Sequence, residues 1–119
     1  MKHLNKNFKL KRKFSHKKSL LSNLSCQLIK FKIIKTTLIK AKALRQYLEP
    51  ILTKSKVNTI FSRKIIYKYL KNKSIIKILF NIISKKIFLR KGGYLRIIKI
   101  GRRYGDNAKM ALITFVDKF

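Results

Sequence analysis

Acidic residues are almost missing from this chain of 119 residues. Glu49, Asp106 and Asp117 are the only acids against 32 lysines and arginines, which gives a formal net charge of +29. Such a body repels itself unless a polyanion supplies counter-charge, and a phosphate backbone is the densest partner of that kind. Three scattered acids also provide no close pair for general acid–base catalysis. The composition therefore indicates a nucleic-acid partner and argues against an enzyme.

Cysteine and proline occur once each. The single cysteine, Cys26, excludes an internal disulfide and any zinc site built from paired cysteines, and its apolar neighbours predict a small buried side chain. Pro50 interrupts an apolar stripe, so we expect a kink or a break near Glu49. With 46% hydrophobic residues, the chain can build the core of one intracellular domain. We expect no cofactor and no metal.

A long apolar run is missing as well. The densest run, SIIKILFNIISKKIF from Ser74 to Phe88, is interrupted by lysines and an asparagine, and a membrane span needs roughly 18 clean apolar residues. The N-terminus lacks the apolar block of a secretory signal, and it is rich in lysine where organellar presequences favour arginine. We therefore expect a soluble protein with no membrane partner and no small-molecule substrate.

The first residues are basic and show no sustained apolar period. We expect residues 1–14 to form an extended arm that becomes ordered on its partner, and residues 15–119 to form a single globular domain. Both histidines, His3 and His16, lie in or beside this arm with no acid nearby, so we interpret them as RNA contacts rather than catalytic bases.

Apolar residues at three- and four-residue spacing predict four helices. We expect these helices to be capped by Ser15, Thr37, Asn58 and Asn72. The β-branched stretch KIIKTT predicts a short strand over residues 32–36, between the first two helices. The inward face of the fourth helix is predicted to consist of Ile75, Ile76, Leu79, Ile82 and Ile83.

All four glycines fall near the C-terminus, where the apolar period changes from about 3.6 to two. The segments YLRIIKI and MALITFV therefore predict a hairpin whose long basic loop is GRRYGDNAK. The glycine spacing does not fit dinucleotide or Walker phosphate loops, and a lone aspartate between glycine and asparagine is typical of a turn. Two roles are possible for Tyr94, namely stacking on a base and a place in the sheet core. The predicted structural turn residues are Gly92, Gly93, Gly101, Gly105 and Asp106.

The predicted fold class is α+β. We expect two layers in the order α-β-α-α-α-β-β, with the helices packed on a small mixed sheet and an extended basic N-terminal arm in front of them. The strand KIIKTT joins the hairpin in this arrangement, because that is the economical way to bury every apolar stripe.

Several fragments at fixed spacing carry a resemblance to a known family. They are MKH at the start, LKRKFSHKK through Lys18, IIKTTLIKAKALR from Ile33, EPIL from Glu49, LF at positions 79 and 80, and GGYLRIIKIGRRYGDNAKMALITFVD. The chain resembles the bacterial-type large-subunit ribosomal proteins of the L-seventeen family from Met1 to Asp117. Local departures are Leu95, Lys109 and Thr114, where the family usually has threonine, proline and glutamate.

The resemblance implies a structural, non-enzymatic constituent of the large ribosomal subunit that binds 23S-type rRNA near the polypeptide exit region. Its implied protein neighbours are the ribosomal proteins L-twenty-two and L-thirty-two. The implied location is the cytoplasm. Abundant lysine and isoleucine, together with the absence of tryptophan, favour a low-GC bacterium, with an organellar ribosome as the alternative.

The candidate RNA contacts are cations, with a few polar or aromatic residues beside them. Lysine supplies a point charge, whereas arginine supplies a planar fork that bridges phosphates or stacks on a base. We therefore expect Arg→Lys at Arg96 or Arg103 to impair subunit assembly more than a change at Lys73. The predicted rRNA-binding residues are Lys2, His3, Lys6, Lys9, Lys11, Arg12, Lys13, Ser15, His16, Lys17, Lys18, Lys35, Lys40, Lys42, Arg45, Arg63, Arg90, Arg96, Arg102, Arg103 and Tyr104.

Charge alone leaves two other classes open. A DNA-binding architectural or regulatory protein commonly offers a compact exposed recognition helix, whereas these helices carry apolar stripes and the charge lies in the arm and loops. A membrane-active cationic protein would lay its Lys/Ile-rich helices on a lipid surface. Comparison of RNA with duplex DNA, and flotation with liposomes, distinguish these classes.

Overall fold

The computed structural model describes residues 8–117, so the predicted arm is covered only from residue 8 onward. The order of elements confirms the predicted one. The elements are α1 (Phe14–Phe31), β1 (Ile33–Thr37), α2 (Leu38–Ser55), α3 (Ile60–Leu70), α4 (Lys73–Ile78), a π-helical turn (Leu79–Ile83), α5 (Ser84–Ile87), β2 (Leu95–Arg102) and β3 (Lys109–Phe115). The segment from α4 to α5 runs as one continuous helix, because both junction residues keep right-handed helical angles.

The sheet has the strand order β1-β3-β2, and both hydrogen-bonded pairs are antiparallel. Ile113 in the central strand lies between Ile34 and Ile97. The predicted mixed sheet is therefore wrong. β1 and β2 do point in the same direction, as a helical crossover allows, but β3 lies between them and the hairpin fixes its direction.

The helices cover one face of this sheet, so the fold has the two predicted layers. α2 contacts all three strands. Along β3 the buried residues alternate with partly exposed ones, and Ala111, Ile113 and Phe115 point into the core. Leu44 and Leu48 of α2 are fully buried in the same cluster. Burial of these side chains contributes on the order of 25 cal/mol per Å² of apolar surface.

α2 continues through Pro50 to Ser55, so the predicted kink or break near Glu49 does not end the helix. Proline lacks the N–H that would bond one turn back, and this loss destabilises a helix interior. The residues that follow are Ile51 and Leu52, and both are buried in the core. Burial of these two side chains offsets the missing hydrogen bond, so packing rather than local propensity decides the length of α2.

The π-helical turn changes which residues of the fourth predicted helix face inward. Ile75, Ile76, Leu79 and Ile83 are buried as predicted, whereas Ile82 is 47% exposed. The wider turn holds one extra residue and shifts the inward stripe, so that Phe80 and Ile87 enter the core instead. The hydroxyl of Ser84 donates to the carbonyl of Leu79 at 2.9 Å and supports this turn. These six core positions lie on a helix whose period is not constant.

The helix caps differ from the predicted ones in two places. α1 begins at Phe14 after Lys13, because a left-handed turn at Leu10 and Lys11 ends just before it, so Ser15 lies inside the helix and is no cap. Thr59 rather than Asn58 caps α3 by accepting from the Ser62 N–H at 3.1 Å.

The other two predicted caps are in place. Asn72 accepts from the Ile75 N–H at 3.2 Å, which confirms it as the cap of α4. Thr37 occupies the cap position of α2, but its side chain makes no capping hydrogen bond. The position is therefore fixed by the end of β1 rather than by the threonine hydroxyl.

Candidate nucleic-acid interface

All three acidic side chains accept hydrogen bonds from other residues of the protein. The half-buried Glu49 of α2 accepts hydrogen bonds from the backbone N–H groups of Tyr94 and Leu95, at 3.3 Å and 3.0 Å. Tyr94 itself is fully buried, and its hydroxyl lies 3.2 Å from that of Thr53. Of the two interpretations of Tyr94, the place in the core is therefore confirmed, and its ring is not free to stack on a base.

The second carboxylate, that of Asp117, links the end of β3 to Arg90, which precedes β2. Asp117 follows β3, and its two oxygens accept from Arg90 at 3.2 Å each. The ion pair also raises the pKa of Arg90, chiefly through this hydrogen bond. Arg90 is predicted to contact RNA, but in the structure its guanidinium group is bound to Asp117. What remains for RNA is the exposed part of the side chain, which is 39% accessible.

The third carboxylate shapes the hairpin loop. Asp106 accepts from Arg103 at 3.0 Å and 2.6 Å, and from the backbone N–H of Ala108 at 3.2 Å. The bond from Arg103 is the main reason why the pKa of Asp106 falls from 3.8 to about 2. Asp106 is therefore a turn-forming residue as predicted, and Arg103 is held by it rather than extended into solvent.

Two glycines in this region adopt positive φ angles that other residues rarely adopt. Gly93 has φ +63° before β2, and Gly101 has φ +101° at a bulge where the register of the hairpin shifts between Lys99 and Gly101. A side chain would be strained at either position. Gly92 and Gly105 have no positive φ, and Asn107 takes the left-handed position in the loop instead. The predicted turn role thus rests on two of the four glycines.

The tip of the loop presents charge and one aromatic ring to solvent. Tyr104 is fully exposed, and Arg102 donates from Nη1 to the backbone carbonyl of Asn107 at 3.3 Å. Both side chains project from a turn whose backbone is fixed by Asp106. Contact of this loop with a phosphate backbone and an unpaired base stays a prediction of the sequence.

The remaining predicted arginines fall into two groups. Arg63 lies over the ring of Phe80, 4.6 Å from its centroid, and donates to Asn58 at 2.9 Å, so it fastens α3 to the core. Arg45 and Arg96 are exposed, and neither side chain has a hydrogen bond or an ion pair within residues 8–117. Their guanidinium groups are the ones available for a partner.

Arg96 lies on the outer face of the sheet together with Lys35. Arg96 pairs with Thr114, and Lys35 pairs with Leu112, so both cations stand on the side away from the helices, near opposite edges. Ile98, on the same strand and face as Arg96, pairs with Leu112 and is 43% exposed. Elsewhere, Lys42 is exposed on α2 and Lys40 is half-buried.

The start of α1 brings the described arm residues together. Most of this group is exposed, whereas Arg12, Lys17 and Lys18 are half-buried. Arg12 donates from Nη1 to the carbonyl of Leu10 at 2.9 Å, and its buried Nε has no partner in the described part of the chain. The exposed members are Lys9, Lys11, Lys13, Ser15 and His16. The predicted contacts Lys2, His3 and Lys6 lie outside the described residues.

Beside this basic cluster lies an aromatic pair that the sequence pattern does not reveal. Tyr47 of α2 and Tyr69 of α3 meet edge to face, with ring centroids 6.1 Å apart. The Tyr47 hydroxyl donates to the Tyr69 carbonyl at 3.0 Å, and burial is the main reason why the pKa of Tyr47 rises to about 12. The two tyrosines are 22 positions apart in the sequence, so no local spacing predicts their contact.

Metal-binding clusters and membrane-spanning helices are both missing from the described part of the chain. Residues 8–117 contain no group of three histidine, cysteine or acidic residues placed to hold a metal ion. Within the same range, no helix is both long and apolar enough to cross a membrane. Fold and surface together define a class of protein. It is a small α+β scaffold whose acidic side chains are hydrogen-bonded within the protein and most of whose lysines and arginines are exposed.

Comparison with known proteins identifies the family. The family model for ribosomal protein L17 matches residues 20–116. The large ribosomal subunit protein bL17 of Flavobacterium johnsoniae is 48% identical over 98% of this chain and 72% of the relative. Those of Porphyromonas gingivalis and Bacteroides fragilis are 51% and 50% identical over 98% of this chain and 73% of each relative.

The chain therefore belongs to the ribosomal protein L17 family, and the predicted resemblance is confirmed. As a member of this family it is a structural constituent of the large ribosomal subunit and not an enzyme. The family assignment agrees with the structure, in which each carboxylate has a structural role.

Proposed function

We propose that this protein supports assembly and translation by binding 23S-type rRNA through its basic arm, the start of α1 and the β2–β3 loop. The observation that carries the proposal is that the three acidic side chains are all hydrogen-bonded within the protein. Glu49, Asp106 and Asp117 all accept hydrogen bonds within the protein, and the net charge of +29, which already counts them, has no counter-charge from the chain itself. Counter-charge has to come from a partner, and rRNA supplies it.

The proposed contacts are the exposed members of the predicted set. Residues 1–14 act as an RNA-binding arm in front of a single domain, and Arg96, Arg45 and Tyr104 supply the free fork-shaped or stacking groups. Lysines on the same surfaces contribute charge with little demand on geometry. Arg63, Arg90 and Arg103 contribute to RNA binding indirectly, because each holds an element of the fold in place.

The family likeness supports finer details of location. We place the chain near the polypeptide exit region, beside the ribosomal proteins L-twenty-two and L-thirty-two. The bacterial relatives favour a cytoplasmic bacterial ribosome over an organellar one. The lysine- and isoleucine-rich composition supports a low-GC genome.

Binding of the full chain to fragments of large-subunit rRNA, compared with duplex DNA of equal length, tests the proposal. We expect tighter binding to one rRNA fragment, with a steep loss as salt rises. If about 10 phosphates are contacted, the slope of log K against log salt is roughly −9 on a duplex. Equal affinity for duplex DNA and for every rRNA fragment would contradict rRNA recognition and favour a general DNA-binding protein.

A further inference from the structure

A cleft of about 370 Å³ lies where the start of α1 meets α2 and α3. Its volume falls within the range of roughly 300–1,000 Å³ that is usual for sites that bind small molecules or groups of that size. Two residues of the basic cluster at the start of α1, Lys17 and Lys18, are among those that line it. None of the residues that line it in the described structure is acidic.

The walls of this cleft are aromatic. Tyr47 and Tyr69 form the inner wall, with ring planes at 80° to one another and the Tyr47 hydroxyl fixed on the Tyr69 carbonyl. Phe14, at the first position of α1, also lines the cleft and is 82% exposed. An exposed aromatic ring in a cleft that two further aromatic rings line offers a stacking surface to a planar group.

Polar residues line the same cleft. Gln46 is exposed, and its amide, which carries both donors and an acceptor, has no hydrogen-bond partner in the described residues. Lys17 and Lys18 also line the cleft, and both are half-buried. Flat apolar faces, one free amide and two positive charges match a nucleobase with its attached phosphate.

We propose that this cleft receives one unpaired base of the bound RNA, with Phe14 stacked on the base, Gln46 at its hydrogen-bonding edge, and Lys17 and Lys18 on its phosphate. The inference rests on the proposed rRNA binding and names the kind of nucleotide taken at this site. A base pair inside a duplex cannot enter, so the cleft selects a bulged or looped nucleotide. An apolar protein segment would fill the cleft but would leave Lys17 and Lys18 without counter-charge.

Ultraviolet cross-linking of large subunits that contain this chain tests the inference directly. Irradiation joins stacked aromatic side chains and bases without a linker, and mass spectrometry then identifies the peptides that carry a nucleotide. We expect a nucleotide on Phe14, Tyr47 or Tyr69. Nucleotides on other peptides, such as the one with Tyr104, and none on the cleft peptides would overturn the inference while leaving rRNA binding intact.

Two matched variants supply a second measurement. Phe14→Ala removes the exposed stacking ring, and Phe61→Ala removes a ring that is 73% exposed on α3 and does not line the cleft. With reagents that modify base edges, we expect one unpaired rRNA base to become several-fold more reactive in Phe14→Ala subunits and to be unchanged in Phe61→Ala subunits. Phe14→Tyr is expected to restore protection, because a phenol ring also stacks.

Three outcomes distinguish this inference from the proposed function. Identical reactivity in the Phe14→Ala and Phe61→Ala subunits would refute the cleft as a base site. A cleft found in contact with a neighbouring protein would refute it as well. Absence of the wild-type chain from large subunits would instead contradict the proposed function itself.

Discussion

The carboxylate of Glu49 accepts a hydrogen bond from the backbone N–H of Leu95 at 3.0 Å. This contact joins the middle of α2 to the first residue of β2, across 46 positions of sequence. The adjacent N–H of Tyr94 bonds to the second oxygen of the same carboxylate. Two backbone donors that would otherwise be buried without a partner are therefore satisfied by one of the few acids that the chain possesses.

Glu49→Ala should destabilise the free protein by about 2 kcal/mol, because both N–H groups lose a charged acceptor. Glu49→Gln keeps one acceptor and should cost less. Asp106→Asn is the matched control, since it also removes one negative charge but acts in an exposed turn. Urea unfolding followed by circular dichroism measures the difference. Equal unfolding midpoints for Glu49→Ala and Asp106→Asn would contradict the role of Glu49.

Asp106 should titrate at about pH 2 in the folded protein. Its pKa is lowered from 3.8, so the Arg103–Asp106 pair contributes above about pH 4 and is lost as the pH falls towards 2. Carboxyl-carbon NMR shifts recorded between these limits follow the group directly. In Arg103→Gln the pKa should move back towards 3.8. A titration near 3.8 in the wild-type protein would show that the loop is not held by this pair.

Arg96 and Arg90 should separate binding from stability. Arg96→Gln is expected to leave the unfolding midpoint unchanged and to reduce the magnitude of the salt slope for rRNA binding by about 1, as expected for one lost phosphate contact. Arg90→Gln should lower the unfolding midpoint, because Asp117 loses its partner. The same two assays on both variants test this division. A fall in stability with Arg96→Gln, or none with Arg90→Gln, would reverse the assignment.

Cys26 should react slowly with maleimide. Burial raises the pKa of its thiol, and its Sγ lies 3.6 Å from the carbonyl oxygen of Leu70, to which it donates. Less thiolate is therefore present at neutral pH than in an exposed cysteine, and thiolate is the reactive form. We expect modification of the folded chain to be several-fold slower than that of the chain in guanidinium. Equal rates would show that the thiol is open to solvent.

The sequence predicted the element order and the hairpin because their signals are local. The change of period after Gly93 and the alternation along β3 are visible in a few residues. Pro50 misled the prediction because its cost is local, whereas the burial of Ile51 and Leu52 depends on the tertiary structure. Ile82 was placed inward because a constant helical period cannot anticipate a π-helical turn.

The candidate site could be predicted only in part, for a similar reason. Positive charge is visible as composition, so the exposed lysines were identified without a structure. The arginines that bind other residues of the fold are determined by where their acceptors lie. Sequence spacing does not predict that Arg90 binds Asp117 or that Arg63 binds Asn58. Tyr47 and Tyr69 meet only when α2 packs on α3, so the aromatic cleft leaves no local pattern in the sequence.

Electron cryo-microscopy of large subunits that carry this chain tests the central claim most directly. The account predicts that the start of α1 and the β2–β3 loop with Tyr104 lie within hydrogen-bonding distance of rRNA phosphates or bases. It also predicts that Glu49 and Asp117 face away from the RNA, inside the protein. A map in which these basic surfaces face solvent or protein, with the rRNA elsewhere, would contradict it.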